Sequence, residues 1–115
     1  MALSFEAKKV GGVNVLTPAG KIVIGEEVTA LREKIKDLLK AGEKNILLNM
    51  AGVSYVDSTG IGALVGSFTT IRSQGGQMKL ANLVDKVQDI LVVTKLLTVF
   101  DVFKNEEEAI KSFGA

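Results

Sequence analysis

Two hydrophobic periodicities alternate along most of this chain, and that alternation restricts the fold more than any other feature. Residues 26–40 place Val28, Leu31, Ile35, Leu38 and Leu39 at helical spacing, and residues 58–74 do the same with Ile61, Leu64, Val65, Phe68 and Ile71. Between them lies the run Asn45-Ile46-Leu47-Leu48-Asn49-Met50, too short for a helix and apolar at its centre, as in a strand buried on both faces. The pattern repeats with a strand at 77–81, a helix at 85–94, a strand at 99–103 and a closing amphipathic helix at 106–113. Strands and helices in turn imply right-handed crossovers and a mostly parallel sheet.

The N-terminus adds an antiparallel element. Ser4–Val10 and residues 13–18 are β-like runs joined by Gly11-Gly12, a pair suited to the positive φ angles of a two-residue hairpin turn. Pro18 lacks an N–H, so it marks the end of the second strand or a position with no neighbour to receive one. Glu26 and Glu27 open the first helix and Lys36 and Lys40 close it, as the helix dipole favours; Gly42 follows as its C-terminal cap, and Gly75-Gly76 stops the second helix. The expected fold is α/β: an N-terminal β-hairpin, then β-α repeats, giving a mixed sheet of about five strands flanked by about four helices. A chain of 115 residues holds one such core, so residues 1–115 read as a single domain.

Composition narrows the function classes. No histidine and no cysteine are present, which removes imidazole bases, Ser-His-Asp catalysis, thiolate nucleophiles and most zinc sites. Fourteen basic residues against thirteen acidic ones leave a net charge of +1, with no basic face for a nucleic-acid backbone. Glu6, Lys8 and Lys9 stand where a signal peptide needs its apolar core, and the greasy stretch 90–100 is short and interrupted by Lys95. A cytoplasmic location without membrane contact is expected.

The chemistry concentrates in Asp57-Ser58-Thr59-Gly60-Ile61-Gly62, which opens the second helix at the carboxyl end of a strand, where such folds carry their working loops. Residues 51–56 read as the loop leading to it. Three readings compete. Asp57 or Ser58 caps the helix, while the small residues Gly60, Gly62, Ala63, Gly66 and Ser67 allow close packing. Alternatively, Gly60 and Gly62 begin a nucleotide cradle. Against it, Gly66 falls one residue late for G-x-G-x-x-G, Asn82-Leu83 replaces the ribose-binding acid, and no phosphate-loop lysine is present. In the third reading Ser58 accepts a phosphoryl group at the helix start.

Asp57-Ser58-Thr59-Gly60-Ile61-Gly62, preceded by Leu47-Leu48-Asn49 and Val53-Ser54-Tyr55, resembles the signature of the anti-sigma factor antagonist family, the stand-alone STAS domains. The likeness extends to the hairpin, Gly20, the first helix, Gly75-Gly76-Gln77-Met78-Lys79-Leu80 and Lys95-Leu96-Leu97-Thr98-Val99-Phe100. The resemblance implies a non-enzymatic regulator without a cofactor or metal. It implies that Ser58 is phosphorylated by an anti-sigma factor that is also a serine kinase, with Thr59 as a minor alternative and Asp57 presenting the loop. Gly60 and Gly62 then let the partner approach. The unmodified form binds the kinase and frees a sigma factor, and a serine phosphatase restores it. One alternative is a STAS module of a larger signalling assembly without sigma control; another remains a small nucleotide- or phosphate-binding protein using the Gly60/Gly62 loop. Many relatives carry an acid after the glycine expected to end the second strand, whereas Lys21 follows Gly20 here.

Outside that segment, Phe100, Phe103 and Phe113 read as core residues. Tyr55 reads as a packing residue or an interface anchor. Glu106-Glu107-Glu108 reads as an acidic first turn rather than a metal site, since no calcium-loop spacing is present.

Overall fold

The computed structural model describes residues 3–114. Strands β1 (Ser4–Val10) and β2 (Val13–Ile22) form the opening hairpin, paired from Val10↔Val13 to Ser4↔Ala19. Gly11 and Gly12 turn it with φ of 54° and 83°. Then follow α1 (Glu26–Lys40), β3 (Asn45–Asn49), β4 (Gly52–Val56), α2 (Ser58–Ser73), β5 (Gln77–Ala81), α3 (Asp85–Val93), β6 (Val102–Phe103) and α4 (Glu106–Ser112). The sheet runs β1-β2-β3-β5-β6, with β4 also paired to β2. Apart from β1, every pairing is parallel.

The six-stranded sheet is the mixed α/β sheet anticipated, with one strand more than the sequence reading assigned. That strand is β4, in residues read as a loop. β3 pairs with Asn14 to Leu16 of β2, and β4 pairs further along with Ala19 to Ile22. The offset between partners is 32 for Leu16↔Leu48 and 33 for Ala19↔Gly52, so β4 resumes β3's path after one inserted residue. Gly-Val-Ser-Tyr-Val has too weak an apolar pattern to announce itself. It is a strand because β2 offers it an edge.

β2 correspondingly runs on through Pro18 to Ile22. Counted from the two-residue turn, Phe5↔Pro18 is a non-hydrogen-bonded pair, so the missing N–H faces away from β1. On that side Pro18 falls between the end of the β3 pairing and the start of the β4 pairing. Gly20 likewise does not end β2 but sits at its register shift, with φ of 128°. The last strand is shorter than 99–103. Leu96 N–H donates to the Leu91 carbonyl (2.8 Å) and Val99 N–H to that of Leu96 (3.1 Å), so this stretch coils under the sheet and buries Phe100 completely. Helices α2, α3 and α4 each end one residue earlier than read.

Side chains alternate across the sheet into two cores. Leu16, Leu48 and Leu80 meet α1, α2 and α3 on one face, with Leu31, Leu64 and Phe100. Val13, Val15, Leu47 and Ala81 meet α4 alone on the other, through Ala109 and Phe113. The second core is small and is held by a buried cation. Lys79, 7% exposed, donates from Nζ to the Ser112 carbonyl (2.8 Å) and to Ser112 Oγ (3.0 Å). Its ammonium also lies 4.8 Å from the Phe113 ring centre. A cation on the last carbonyls of α4 is favoured by the helix dipole.

Lys79→Met keeps the volume and removes those bonds. It is expected to lower folding stability by roughly 1.5–3 kcal/mol, the range for hydrogen bonds to a charged group. Denaturant unfolding measures the loss, and hydrogen exchange should show the amides of α4 opening first.

Candidate functional site

The segment Asp57-Ser58-Thr59-Gly60 lies where the carboxyl ends of β2 and β4 meet the start of α2. Asp57 is the N-cap, with extended backbone. Its Oδ1 accepts from the Gly60 N–H at 2.7 Å, the capping bond expected from sequence. Its Oδ2 accepts from the Ile24 N–H at 3.0 Å, in the loop between β2 and α1. The backbone follows the same path, Asp57 N–H donating to the Ile22 carbonyl (3.3 Å). One carboxylate therefore joins two loops that are distant in sequence. The Ile24 and Gly60 N–H groups hold its pKa below the ordinary 3.8, Ile24 first.

Ser58 is the first helical residue, is exposed, and has no hydrogen-bond partner for its hydroxyl among the described residues. Thr59 is half-buried. The glycines of this helix divide into two kinds. Gly60 is buried, and a Cβ there would fall on the Ile22 carbonyl oxygen and within 2.8 Å of Val56 Cγ1. Its missing side chain is required by β2, inside the molecule. Gly62 and Gly66 are exposed, with open space where a Cβ would stand. The residue that sequence reasoning missed is Ile24, which supplies an N–H to Asp57 and leaves its side chain 70% exposed beside the helix start. Within the apolar run Ile22-Val23-Ile24 nothing local distinguishes it from a buried strand residue.

The nucleotide-cradle reading fares poorly against this geometry. The Gly60 N–H that would meet a phosphate is taken by a carboxylate, whose charge already answers the helix dipole. Asn82, at the position of a ribose acid, donates instead to Asn49 Oδ1 (3.2 Å). The other features flagged in the sequence have contacts within the molecule. Glu106 bonds Lys8 (2.7 Å) and Asn49 Nδ2 (3.0 Å), and these, Lys8 first, lower its pKa. Tyr55 is half-buried under Lys86, whose Nζ is 5.1 Å from the ring centre. Phe100 and Phe113 are buried and Phe103 is half-buried. Among the described residues, no helix is long and apolar enough to cross a membrane.

The STAS domain model matches residues 4–109. The chain belongs to the STAS-domain family of anti-sigma factor antagonists. An anti-sigma-B factor antagonist of Bacillus subtilis is 35% identical over 81 residues, 70% of this chain and 73% of that one. A candidate anti-sigma factor antagonist of Thermotoga maritima superposes with a TM-score of 0.89 at 27% identity, covering 96% of this chain and 95% of that one. The Bacillus cell-fate determinant SpoIIAA in its phosphorylated form, 23% identical, shares the fold with a TM-score of 0.72 over 95% of this chain and 98% of its own.

Two substitutions in this STAS domain separate packing from openness. Gly60→Ala is expected to destabilise by roughly 1–3 kcal/mol because backbone must move to admit the methyl group. Gly62→Ala meets no obstacle and should stabilise by up to about 1 kcal/mol through helix propensity. Thermal or urea unfolding reads both.

Asp57 also makes a signed pH prediction. Its folded pKa is lowered, so its contribution to stability is present above pH 3.8 and is lost as pH falls through the folded value. Asp57→Asn keeps a capping side chain but cannot titrate. Its urea midpoint should therefore fall less steeply than that of the parent below pH 3.8.

Proposed function

We propose that this domain is an anti-sigma factor antagonist whose binding is switched by phosphorylation of Ser58. The observation that carries the reading is an exposed, unpartnered hydroxyl at the first position of α2, next to an aspartate whose two oxygens are committed to backbone. A kinase reaching this loop meets an exposed hydroxyl on a fixed base, while the neighbouring Thr59 is half-buried. Ser58 Oγ attacks the γ-phosphorus of ATP, its proton passes to a base of the kinase, and ADP leaves. The kinase is the anti-sigma factor itself, bound by the unmodified form so that a sigma factor is released. A serine phosphatase hydrolyses the ester and restores binding. The domain is substrate and ligand in this cycle, not catalyst, and works in the cytoplasm.

The electrostatics favour a switch at the surface. Phosphate adds roughly −1.5 to −2 charge. Asp57 already holds the Gly60 and Ile24 N–H groups, so the added charge gains little from the helix start and projects outward. Ser58, Thr59, Gly62 and the exposed Ile24 form the contact surface, while Asp57 and Gly60 shape it from beneath.

Incubation with ATP and the cognate kinase should add one phosphoryl group by intact mass, and Ser58→Ala should abolish it. Phosphorylated protein should bind the kinase at least roughly thirtyfold more weakly, since an unpartnered charge in an interface costs about 2–5 kcal/mol. Its melting temperature should stay the same. Full modification of Thr59 in the alanine variant, or a melting temperature many degrees lower after phosphorylation, would overturn the proposal.

A further inference from the structure

Helices α1 and α2 lie side by side on one face of the sheet and leave between them a groove of about 630 Å³. Its apolar floor is Ile35, Leu39 and Ala63. The α1 wall carries Arg32, Lys36 and Lys40, one cation per helical turn, all exposed and without an ion-pair partner among the described residues. Glu33 is the one acid in the lining. On the α2 wall Gly66 presents no side chain and faces open space. Beside it Ser67 is only 6% exposed, yet its hydroxyl has no hydrogen-bond partner among the described residues. The hydroxyl oxygen is open to the groove, where a partner would enter.

We infer that this groove docks an amphipathic helix with an acidic flank from a protein partner. The distribution of charge selects that occupant. Residues 32 to 40 span about 12 Å along the helix, so the three cations match carboxylates repeated once per turn. A fatty acid would present a single anionic head to such a ridge and leave two cations unanswered. The apolar floor suits aliphatic side chains at three- and four-residue spacing, and the bare α2 wall at Gly66 lets a helix backbone come close. Ser67 Oγ then meets a polar group of the incoming helix. This surface is separate from Ser58, which does not line the groove, and the inference does not rest on the phosphorylation reading.

The test uses the full chain and a labelled peptide of about sixteen residues with Leu on one helical face and Glu along one flank. Fluorescence anisotropy should show saturable binding, and amide shifts should cluster on the facing sides of α1 and α2. The R32E/K36E/K40E variant should lose at least about tenfold in affinity, and the same peptide with Lys for Glu should restore it. Gly66→Leu extends into open space and improves helix propensity, so it should fold, melt no lower than the parent and lose at least about tenfold in binding. The inference fails if the Lys peptide binds the parent as tightly as the Glu peptide, if Gly66→Leu binds unchanged, or if the shifts lie elsewhere. It fails equally if the parent ignores the peptide and takes up oleate in this groove.

Discussion

Strand β2 is the member on which the other elements are arranged. Along one edge it carries β1, and its ten residues also carry β3 over the first half and β4 over the second. The interruption at Met50 and Ala51 matches a strand whose own continuity is broken by a proline and a shifted register. Because β4 ends beside the end of β2, the two loops leaving them are adjacent. The site exists because both are released at the same level of the sheet.

That adjacency becomes rigid through Asp57. A cap alone would hold only the first turn of α2. The second oxygen, on the Ile24 N–H, ties the β2–α1 loop to the same point, and Gly60 lets α2 start directly against the Ile22 carbonyl. Ser58 is thus presented by residues with no freedom to follow it. A charge placed on such a hydroxyl changes what the surface offers while the packing beneath stays as it was. The buried Lys79 does comparable work on the opposite face, holding α4 over a second core that is smaller than the first.

Much of the frame was legible in the chain itself. The helical stripes, the buried run at 45–50 and the Gly-Gly turn each follow from contacts between near neighbours in sequence, and each stands where periodicity placed it. The Asp57 cap was legible for the same reason, since its bond to Gly60 spans three residues. The strand β4 was not. Gly52 to Val56 has neither a strong alternation nor a continuous apolar run, and its conformation comes from an edge supplied some thirty residues earlier. Residues 99–101 were misread as strand for the opposite reason: Val99-Phe100 is apolar enough for one, but the Val99 and Phe100 N–H groups bond back to the Leu96 carbonyl.

By itself, then, the sequence determined the order of the elements other than β4, the helix-flanked mixed sheet and the hydroxyl at the start of α2, all consequences of side-chain periodicity and short-range hydrogen bonding. Tertiary structure alone decided which glycine is filled by backbone and which stands open, because that depends on the Ile22 carbonyl reaching Gly60 and nothing reaching Gly62 or Gly66. It also decided that the aspartate serves two loops, and that three lysine and arginine side chains of α1 face a bare stretch of α2 across an apolar floor. These are relations between atoms far apart along the chain, and they come into being only when the sheet brings its helices together.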